Sequence, residues 1–183
     1  LLEQHNTPPE LLQELQKDVH RLQLVADRFS KIGSTPKLET QDLSQLVAHI
    51  KDYMQVRAPK HVRIDCIANE TPISIPMSAT LIEWVIENLL RNALDAMTHK
   101  GVILISLQKE DKQVVIDISD TGKGMSKVQA KQIFKPGYST KKRGWGLGLS
   151  LSKRIVEQYH KGSLQLRQTE LGKGATFRII LPL

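Results

Sequence analysis

The chain has 183 residues, of which 40% are apolar and 25% charged, a composition that fits one folded domain with or without a helical appendage and excludes wholesale disorder. Charges interrupt the apolar runs well short of membrane-spanning length, and no signal or transit peptide is seen, so we expect a soluble domain. The single cysteine excludes an internal disulfide and has no zinc-ligand spacing to the histidines, which suits a reducing compartment. The formal net charge is +7, but aromatic residues are only 4% and no nucleic-acid-binding signature occurs, so we expect no nucleic-acid partner.

The first predicted element is a helix over Glu10–Ile32. Leu15, Leu22 and Phe29 recur at intervals of seven residues, the spacing of a bundle or coiled-coil stripe. Because such a helix is marginal alone, the stripe predicts a partner helix; packing of the stripe on its own domain is the alternative. We therefore expect residues 1–36 to belong to a helical bundle and its linker, and residues 37–183 to form a second domain.

After this linker, predicted helices and strands alternate. Helical periodicity covers residues 42–56, 78–97 and 147–159, and strand patterns cover residues 61–67, 102–108, 114–119, 163–168 and 175–181. Ser78 is a plausible N-cap of the long helix, and Cys66 is predicted to be a strand residue, not a nucleophile. The order predicts an α+β fold, a two-layer α/β sandwich with helices on one face of a mixed sheet.

The long helix contains two asparagines on one face. Asn88 and Asn92 lie four residues apart, and Asp95 and Ala96 continue that face. Asparagine is a mediocre helix former, so two on one line indicate a role beyond helix formation. An amide oxygen can bind Mg²⁺, and Asn92 is the predicted ligand. Taken alone, the pair is better explained by exposed or capping amides, and only the later motifs favour a metal site.

Asp120 ends a predicted strand and enters a glycine turn. A carboxylate in that place can accept a hydrogen bond from the exocyclic amine of adenine. Gly122 and Gly124 would let the backbone approach the ring, and Met125 can cover its face. A calcium loop is the competing explanation, but its oxygen-ligand pattern and final Glu are absent.

The next segment concentrates positive charge. From Lys123 to Arg143 there are seven basic residues and no acidic one, which equals the net charge of the whole chain. Lys141 and Arg143 are placed to reach outer phosphates, and Phe134 and Tyr138 can anchor a mobile lid. A basic loop in solvent is the alternative.

A glycine-rich loop, Gly144-Trp145-Gly146-Leu147-Gly148, leads directly into the last predicted helix. Unpaired N–H groups and the positive end of the helix dipole attract phosphate at such a place. The loop lacks the Gly-Lys-Ser/Thr ending of a P-loop and is not a good dinucleotide fingerprint. Considered singly, a loop of this kind is often only a flexible turn.

In combination, these stretches resemble the N, G1, F and G2 boxes of the ATP-binding catalytic domain of bacterial sensor histidine kinases, in the GHKL superfamily. Gly172-Lys173-Gly174-Ala175-Thr176 resembles the final glycine box. The resemblance covers about residues 38–183 and implies a Bergerat fold, ATP and Mg²⁺ as cofactors, and an ATP lid over residues 125–143. The preceding heptad-bearing helix resembles the second helix of the dimerisation and histidine-phosphotransfer bundle.

The resemblance also implies roles for individual residues. Asn92 would hold Mg²⁺, and Asp120 would bind adenine. Catalytic roles fall on Asn88, Lys141 and Arg143. The residues expected to bind nucleotide are Asn88, Asn92, Asp95, Ala96, Asp120, Gly122, Gly124, Met125, Phe134, Thr140, Lys141, Gly146, Leu147, Gly148, Leu149 and Thr176.

Two departures from the superfamily refine this interpretation. In its ATP hydrolases, such as gyrase, the position four before the metal-binding asparagine is a glutamate that activates water; here it is Asn88, a poor general base, which favours transfer to a protein side chain. The family's phosphorylated histidine is followed by an acidic residue, yet none of the six histidines here is. We therefore expect the acceptor helix upstream of Leu1.

The resemblance thus implies a protein-histidine kinase that binds MgATP and phosphorylates a histidine on a separate dimerisation helix. An aspartate on a response regulator receiver domain would then take the phosphate. It also implies a homodimer in the full-length protein, a cytoplasmic catalytic domain and a parent protein attached to the inner membrane. The alternatives are a GHKL-type ATPase, a serine kinase of the anti-sigma type, a basic nucleic-acid-binding module and a degenerate pocket that serves only for interaction.

Overall fold

The structure is a computed structural model that describes residues 36–68, 71–98, 100–141 and 144–183. Lys37–Leu183 form one compact unit. The predicted bundle helix over Glu10–Ile32 lies outside the described residues, so the assignment of residues 1–36 to a dimerisation bundle stays a prediction.

The described part of this unit alternates strands and helices. Its strands are β1 Glu39–Asp42, β2 Val62–Ala68, β3 Ser74–Met77, β4 Gly101–Lys109, β5 Gln113–Asp120, β6 Ser163–Glu170 and β7 Gly174–Pro182. Its α-helices are α1 Leu43–Arg57, α2 Ala79–Ala96, α3 Lys127–Ala130 and α4 Gly148–Arg154, and a π-helix, Ile155–Tyr159, continues α4.

Five of the strands form one mixed sheet in the order β2-β4-β5-β7-β6. The β2 and β4 strands are parallel, and the remaining neighbours are antiparallel. The short strands β1 and β3 pair separately, with Glu39 opposite Met77. Helices α1, α2 and α4 pack against the five-stranded sheet from one side, which confirms the predicted α+β class and the mixed sheet.

The core lies between this sheet and α2. The helix buries an apolar stripe with helical spacing, which includes Ile82, Val85, Ile86, Leu89 and Ala93. Alternate residues of the strands face it, and this set includes Ile103, Ile105, Ile116, Ile118, Phe177 and Ile179. The apolar stripe of α2 is therefore turned to the sheet, and the asparagine-bearing face adjoins it.

The long predicted elements are confirmed within one or two residues, and the differences have local causes. Ser78 occupies the N-cap of α2, but its side chain does not cap the helix; its backbone N–H donates to Nε2 of His160 instead, at 3.1 Å. The predicted helix over residues 147–159 changes to π geometry at Ile155. The strands β1 and β3 and the helix α3 were not predicted, because four residues show no clear periodicity.

Cys66 lies in β2, as predicted, where burial raises the pKa of its thiol above the ordinary value. A raised pKa disfavours the nucleophilic thiolate. Among the described helices, none is long and apolar enough to cross a membrane.

Candidate nucleotide-binding site

The polar face of α2 contains the predicted metal ligand. Asn92 and Asp95 are three residues apart, so their side chains lie on one side of the helix. Lys141 donates from Nζ to Asn92 Oδ1 at 2.8 Å and to Asp95 Oδ2 at 2.6 Å. The sequence predicted Lys141 for the phosphates, whereas the structure places its ammonium on the oxygens of the helix. These two oxygens therefore already bind one cation.

The chemistry of this oxygen pair fits Mg²⁺. Within the part of the chain that the structure describes, no group of three or more His, Cys, Asp or Glu side chains could hold a metal ion. Mg²⁺ does not require such a cage, because it is usually held by one or two protein oxygens together with waters and substrate phosphates. Asn92 and Asp95 are thus suited to a metal ion that arrives with a nucleotide.

Asp120 is a buried carboxylate at the end of β5. Only 9% of the residue is exposed, and its Oδ1 accepts the N–H of Gly122 at 2.8 Å. Burial raises the pKa of Asp120 above the ordinary value, and hydrogen bonds from the backbone N–H groups of Gly122 and Ala175 offset part of that rise. Among the described residues, the groups shown to donate to this carboxylate are backbone N–H groups. A buried acceptor of this kind suits a neutral donor such as an amine on a heterocycle.

The turn after Asp120 packs on the end of α2. The N–H of Lys123 donates to the carbonyl of Ala96 at 3.0 Å. A Cβ at Gly122 would lie 2.8 Å from the Cβ of Ala96 and 2.8 Å from Asp120 Oδ1, so only glycine allows this approach. The predicted residues Ala96, Asp120 and Gly122 are therefore brought together.

The segment predicted to form the lid, residues 125–143, begins against the sheet. Gly124 has a φ of +61° and lies against the backbone of Glu170, and the N–H of Met125 donates to Thr169 Oγ1 at 2.9 Å. The short helix α3 then begins with a capping box between Ser126 and Gln129. The lid therefore leaves the sheet edge from a defined point.

Phe134 lies in the middle of the predicted lid and contacts the sheet. Its ring contacts that of Phe177 edge-on, with centroids 6.4 Å apart, and the Lys153 ammonium lies 4.9 Å above the Phe134 centroid. The role of Phe134 as an anchor of a mobile lid stays a prediction. Thr140, also predicted to bind nucleotide, is exposed, and Arg143 lies outside the described residues.

The glycine-rich loop meets the first asparagine of α2. Leu147 is the N-cap of α4, Gly148 is its first residue, and Leu149 follows, half-buried. Gly146 has a φ of +67°, and its carbonyl accepts the N–H of Gly137 at 3.0 Å, which ties the loop to the lid. Asn88 lies against Gly148 and donates from Nδ2 to Ser152 Oγ at 2.9 Å.

Thr176 does not join this group. It pairs across the strands with Ser119, and their hydroxyl oxygens are 2.9 Å apart. Asp120 is opposite Ala175 instead, and because side chains alternate along a strand, Thr176 faces the other side of the sheet. Sequence reasoning missed Ala175, although the alternation of Ala175 with the buried Phe177 and Ile179 was visible. It also missed Ser152, for which the sequence offers no clear signal.

The chain belongs to the family of histidine kinase-, DNA gyrase B-, and HSP90-like ATPases, whose family model matches residues 77–183. That range contains α2, the strand that ends at Asp120, the predicted lid and the glycine-rich loop, and so includes every residue of the candidate site. The superfamily expected from the sequence motifs is confirmed.

The chain is 33% identical over 176 residues to the sensor histidine kinase ZraS of Escherichia coli (strain K12), a match that covers 94% of this chain and 37% of ZraS. It thus spans well under half the length of this curated relative.

The solved structures that share the fold include ThkA and ShkA. Histidine kinase ThkA in complex with response regulator protein TrrA matches with a TM-score of 0.75 at 21% identity, over 99% of this chain and 53% of ThkA. Full-length ShkA in complex with AMPPNP matches with a TM-score of 0.76 at 25% identity, over 89% of this chain and 36% of ShkA. At its low identity, the ThkA likeness establishes the architecture alone.

Proposed function

We propose that this chain binds MgATP and transfers the γ-phosphoryl group to a histidine on a separate dimerisation helix. The main support is that one face of α2 contacts all three parts of the site. Asn88 touches the glycine-rich loop, Asn92 and Asp95 bind the lid through Lys141, and Ala96 packs on the turn after Asp120. From residue 88 to residue 96 the helix rises about 12 Å, so this face can serve an elongated ligand.

Each end of the ligand has a matching group. Asp120 would accept the amine of adenine at one end, with Gly122, Gly124 and Met125 beside the ring. At the other end, Asn92 and Asp95 would hold Mg²⁺, which when bound supplies positive charge against the triphosphate. Lys141 would then leave these oxygens for the phosphates, joined by Arg143 and by the backbone N–H groups of the glycine-rich loop.

The residues around Asn88 favour transfer over hydrolysis. Hydrolases need a base that activates water, and a carboxamide is a poor one. The neighbouring carboxylate, Glu87, is paired with Arg91 at 3.0 Å on the same helix, and one residue rotates it about 100° from Asn88. At residue 88, four before Asn92, the described site thus places a carboxamide and not a carboxylate that could activate water.

The partners and location follow as parts of the same proposal. The relative ZraS is named a sensor histidine kinase, and ThkA was solved with a response regulator. We propose that the acceptor histidine belongs to the same kinase in a homodimer, that a receiver domain takes the phosphate, and that the domain works in the cytoplasm beneath an inner-membrane anchor.

The direct test uses a separately prepared helical bundle that contains a histidine followed by an acidic residue and a nearby proline. Incubation of that bundle with this chain and γ-labelled MgATP should yield an acid-labile, base-stable phosphohistidine on the bundle and no label on the chain. The matched control is the same bundle with its acceptor histidine changed to glutamine, which should stay unlabelled.

Other outcomes would assign the site to the competing classes. Steady phosphate release without a labelled bundle would indicate an ATPase, and label on a serine of a partner protein would indicate a serine kinase. A folded sample without a thermal shift or binding heat in MgATP would remove the nucleotide site altogether. Tight, steeply salt-dependent DNA binding would instead support a nucleic-acid module.

A further inference from the structure

Asn88 and Ser152 form a contact between α2 and α4 that nucleotide binding alone leaves unexplained. Asn88 donates from Nδ2 to Ser152 Oγ at 2.9 Å, across 64 residues of sequence. Ser152 is 0% exposed. A serine hydroxyl in a helix interior gives no propensity advantage over alanine, and a buried hydroxyl costs free energy unless it has a partner. Its location against the carboxamide therefore indicates a role toward Asn88.

Gly148 borders the same carboxamide. Gly148 and Ser152 are four residues apart on α4, so they lie on one face of that helix. A Cβ at Gly148 would lie 2.5 Å from Asn88 Oδ1 and 3.1 Å from Nδ2. The carboxamide thus sits in a recess of α4 that has no side chain at one end and a hydroxyl at the other.

We propose that Ser152 is a positioning residue that sets the orientation of the Asn88 carboxamide, an inference that rests on the proposed nucleotide site. A carboxamide has one donor end and one acceptor end. Because the Nδ2 end is bound to Ser152, the Oδ1 end lies toward Gly148 and the glycine-rich loop. Asn88 thereby presents an acceptor to that loop, which suits donors such as metal-bound water; the reversed amide would present N–H groups.

The burial of Ser152 makes this contact important. Water has no access to Ser152, and in the structure its oxygen accepts from Asn88 Nδ2, a bond that an amide turned the other way would lose. Ser152→Ala removes that acceptor and should leave the fold of α4 otherwise unchanged. Ser152→Thr keeps a hydroxyl in the same place.

The test is a double-mutant cycle on the binding of Mg²⁺ with a non-hydrolysable ATP analogue, measured by titration calorimetry. Ser152→Ala should weaken binding on the order of tenfold, and Ser152→Thr should restore it. In the Asn88→Ala background, Ser152→Ala should cause no further loss. The matched control is Ser150→Ala on the same helix, since Ser150 Oγ donates to Leu147 and not to Asn88.

A second measurement needs no nucleotide. In NMR spectra of the isotope-labelled chain, the side-chain N–H₂ protons of Asn88 should exchange slowly with solvent, and Ser152→Ala should abolish that protection while Ser150→Ala leaves it intact. Fast exchange in the unmodified chain would overturn the inference.

The outcomes separate this inference from the proposed function. Lack of binding by the unmodified chain would remove the nucleotide site, and the amide exchange would still decide the role of Ser152. Normal binding with an unaffected Ser152→Ala variant, or an equal loss in both Asn88 backgrounds, would show that Ser152 only packs α4 against α2.

Discussion

The charge of Asp120 is costly for stability, and its proposed role is in binding. Its carboxylate is buried, and the only donors that the structure shows to it are backbone N–H groups, so the charged form is less stable here than in water. The pKa of Asp120 is raised, which means that the charge costs stability at neutral pH, and the cost is relieved as the pH falls through the raised pKa. Such a cost is typical of a binding residue.

Asp120→Asn should separate these two effects. We expect the affinity for the MgATP analogue to fall by about 1–3 kcal/mol, because a charged acceptor for the adenine amine is lost. The thermal midpoint of the ligand-free protein should be equal or higher, since the buried charge is gone. Titration calorimetry and thermal unfolding of the same samples test both parts, and unchanged affinity would remove Asp120 from the adenine site.

Asn92→Ala should affect only the metal end of the ligand. The amide oxygen now bound to Lys141 is the one proposed for Mg²⁺, so its removal should abolish the Mg²⁺-dependent part of ATP affinity. Adenosine has no phosphate and should bind as before. Calorimetric titrations with adenosine and with ATP, each with and without Mg²⁺, give the comparison. Equal losses for adenosine and MgATP would contradict the metal role of Asn92.

A buried histidine links the start of α2 to the π-helix that continues α4. His160 follows the π-helix and is 3% exposed. One ring nitrogen, Nε2, accepts the N–H of Ser78 at the start of α2, and Nδ1 lies 3.0 Å from the carbonyl of Ile155. This arrangement requires the neutral ring with its proton on Nδ1. Both the start of α2 and the π-helix therefore depend on an uncharged His160.

The protonation of His160 should make stability depend on pH. Burial lowers the pKa of His160, so the unfolded chain, with an ordinary pKa of about 6.5, binds the proton more readily. The free energy of unfolding should therefore be highest above pH 6.5 and should fall as the pH drops toward the lowered pKa, by up to about 1.4 kcal/mol per pH unit.

Urea titrations between pH 8 and pH 5 on the unmodified chain and on His160→Gln provide the measurement. The two proteins differ only at residue 160, so the difference between the two curves isolates His160. We expect a steeper decline in the unmodified chain, and parallel curves would show that His160 does not couple to folding.

Across the whole domain, the two faces of the sheet serve different purposes. Along β5, the residues that face the helices build the core, and Asp120 is the last of them. On the opposite face, Asp117 accepts two hydrogen bonds from Arg178, at 2.8 and 2.7 Å, and one from Arg167 at 2.8 Å. Hydrogen bonding to Arg178 is the main reason why the pKa of Asp117 is lowered. This network joins β5, β6 and β7 away from the proposed nucleotide.

Asp117→Asn should therefore reduce stability and leave binding unchanged. The loss of charge-assisted hydrogen bonds should cost about 1–3 kcal/mol of unfolding free energy at neutral pH. That contribution is present above the ordinary aspartate pKa of about 4 and is lost as the pH falls through the lowered pKa. Paired urea and nucleotide titrations measure the two quantities. With Asp120→Asn as the reciprocal control, a fall in nucleotide affinity for Asp117→Asn would contradict the separation of the two faces.

The proposed site was only partly predictable. Asn88, Asn92, Asp95 and Ala96 share a helix face because a fixed spacing of 3.6 residues per turn places them there. The contact of Lys141 with Asp95 spans 46 residues, and that of Asn88 with Ser152 spans 64. No local pattern encodes such pairs. Thr176 differs from these pairs, because the alternation of side chains along β7 predicts that it faces away from Asp120. The resemblance to the final glycine box nevertheless assigned Thr176, and not Ala175, to the adenine site.

The sequence by itself determined the helices and long strands, the α+β class and the helix face and strand end that hold the candidate groups, because the periodicity of burial is a property of neighbouring residues. Only the tertiary structure decided that Lys141 binds the oxygens of α2, that Ser152 contacts Asn88 and that Thr176 faces away from Asp120. These contacts depend on how a sheet and helices distant in sequence pack together, and that packing is set by the whole core.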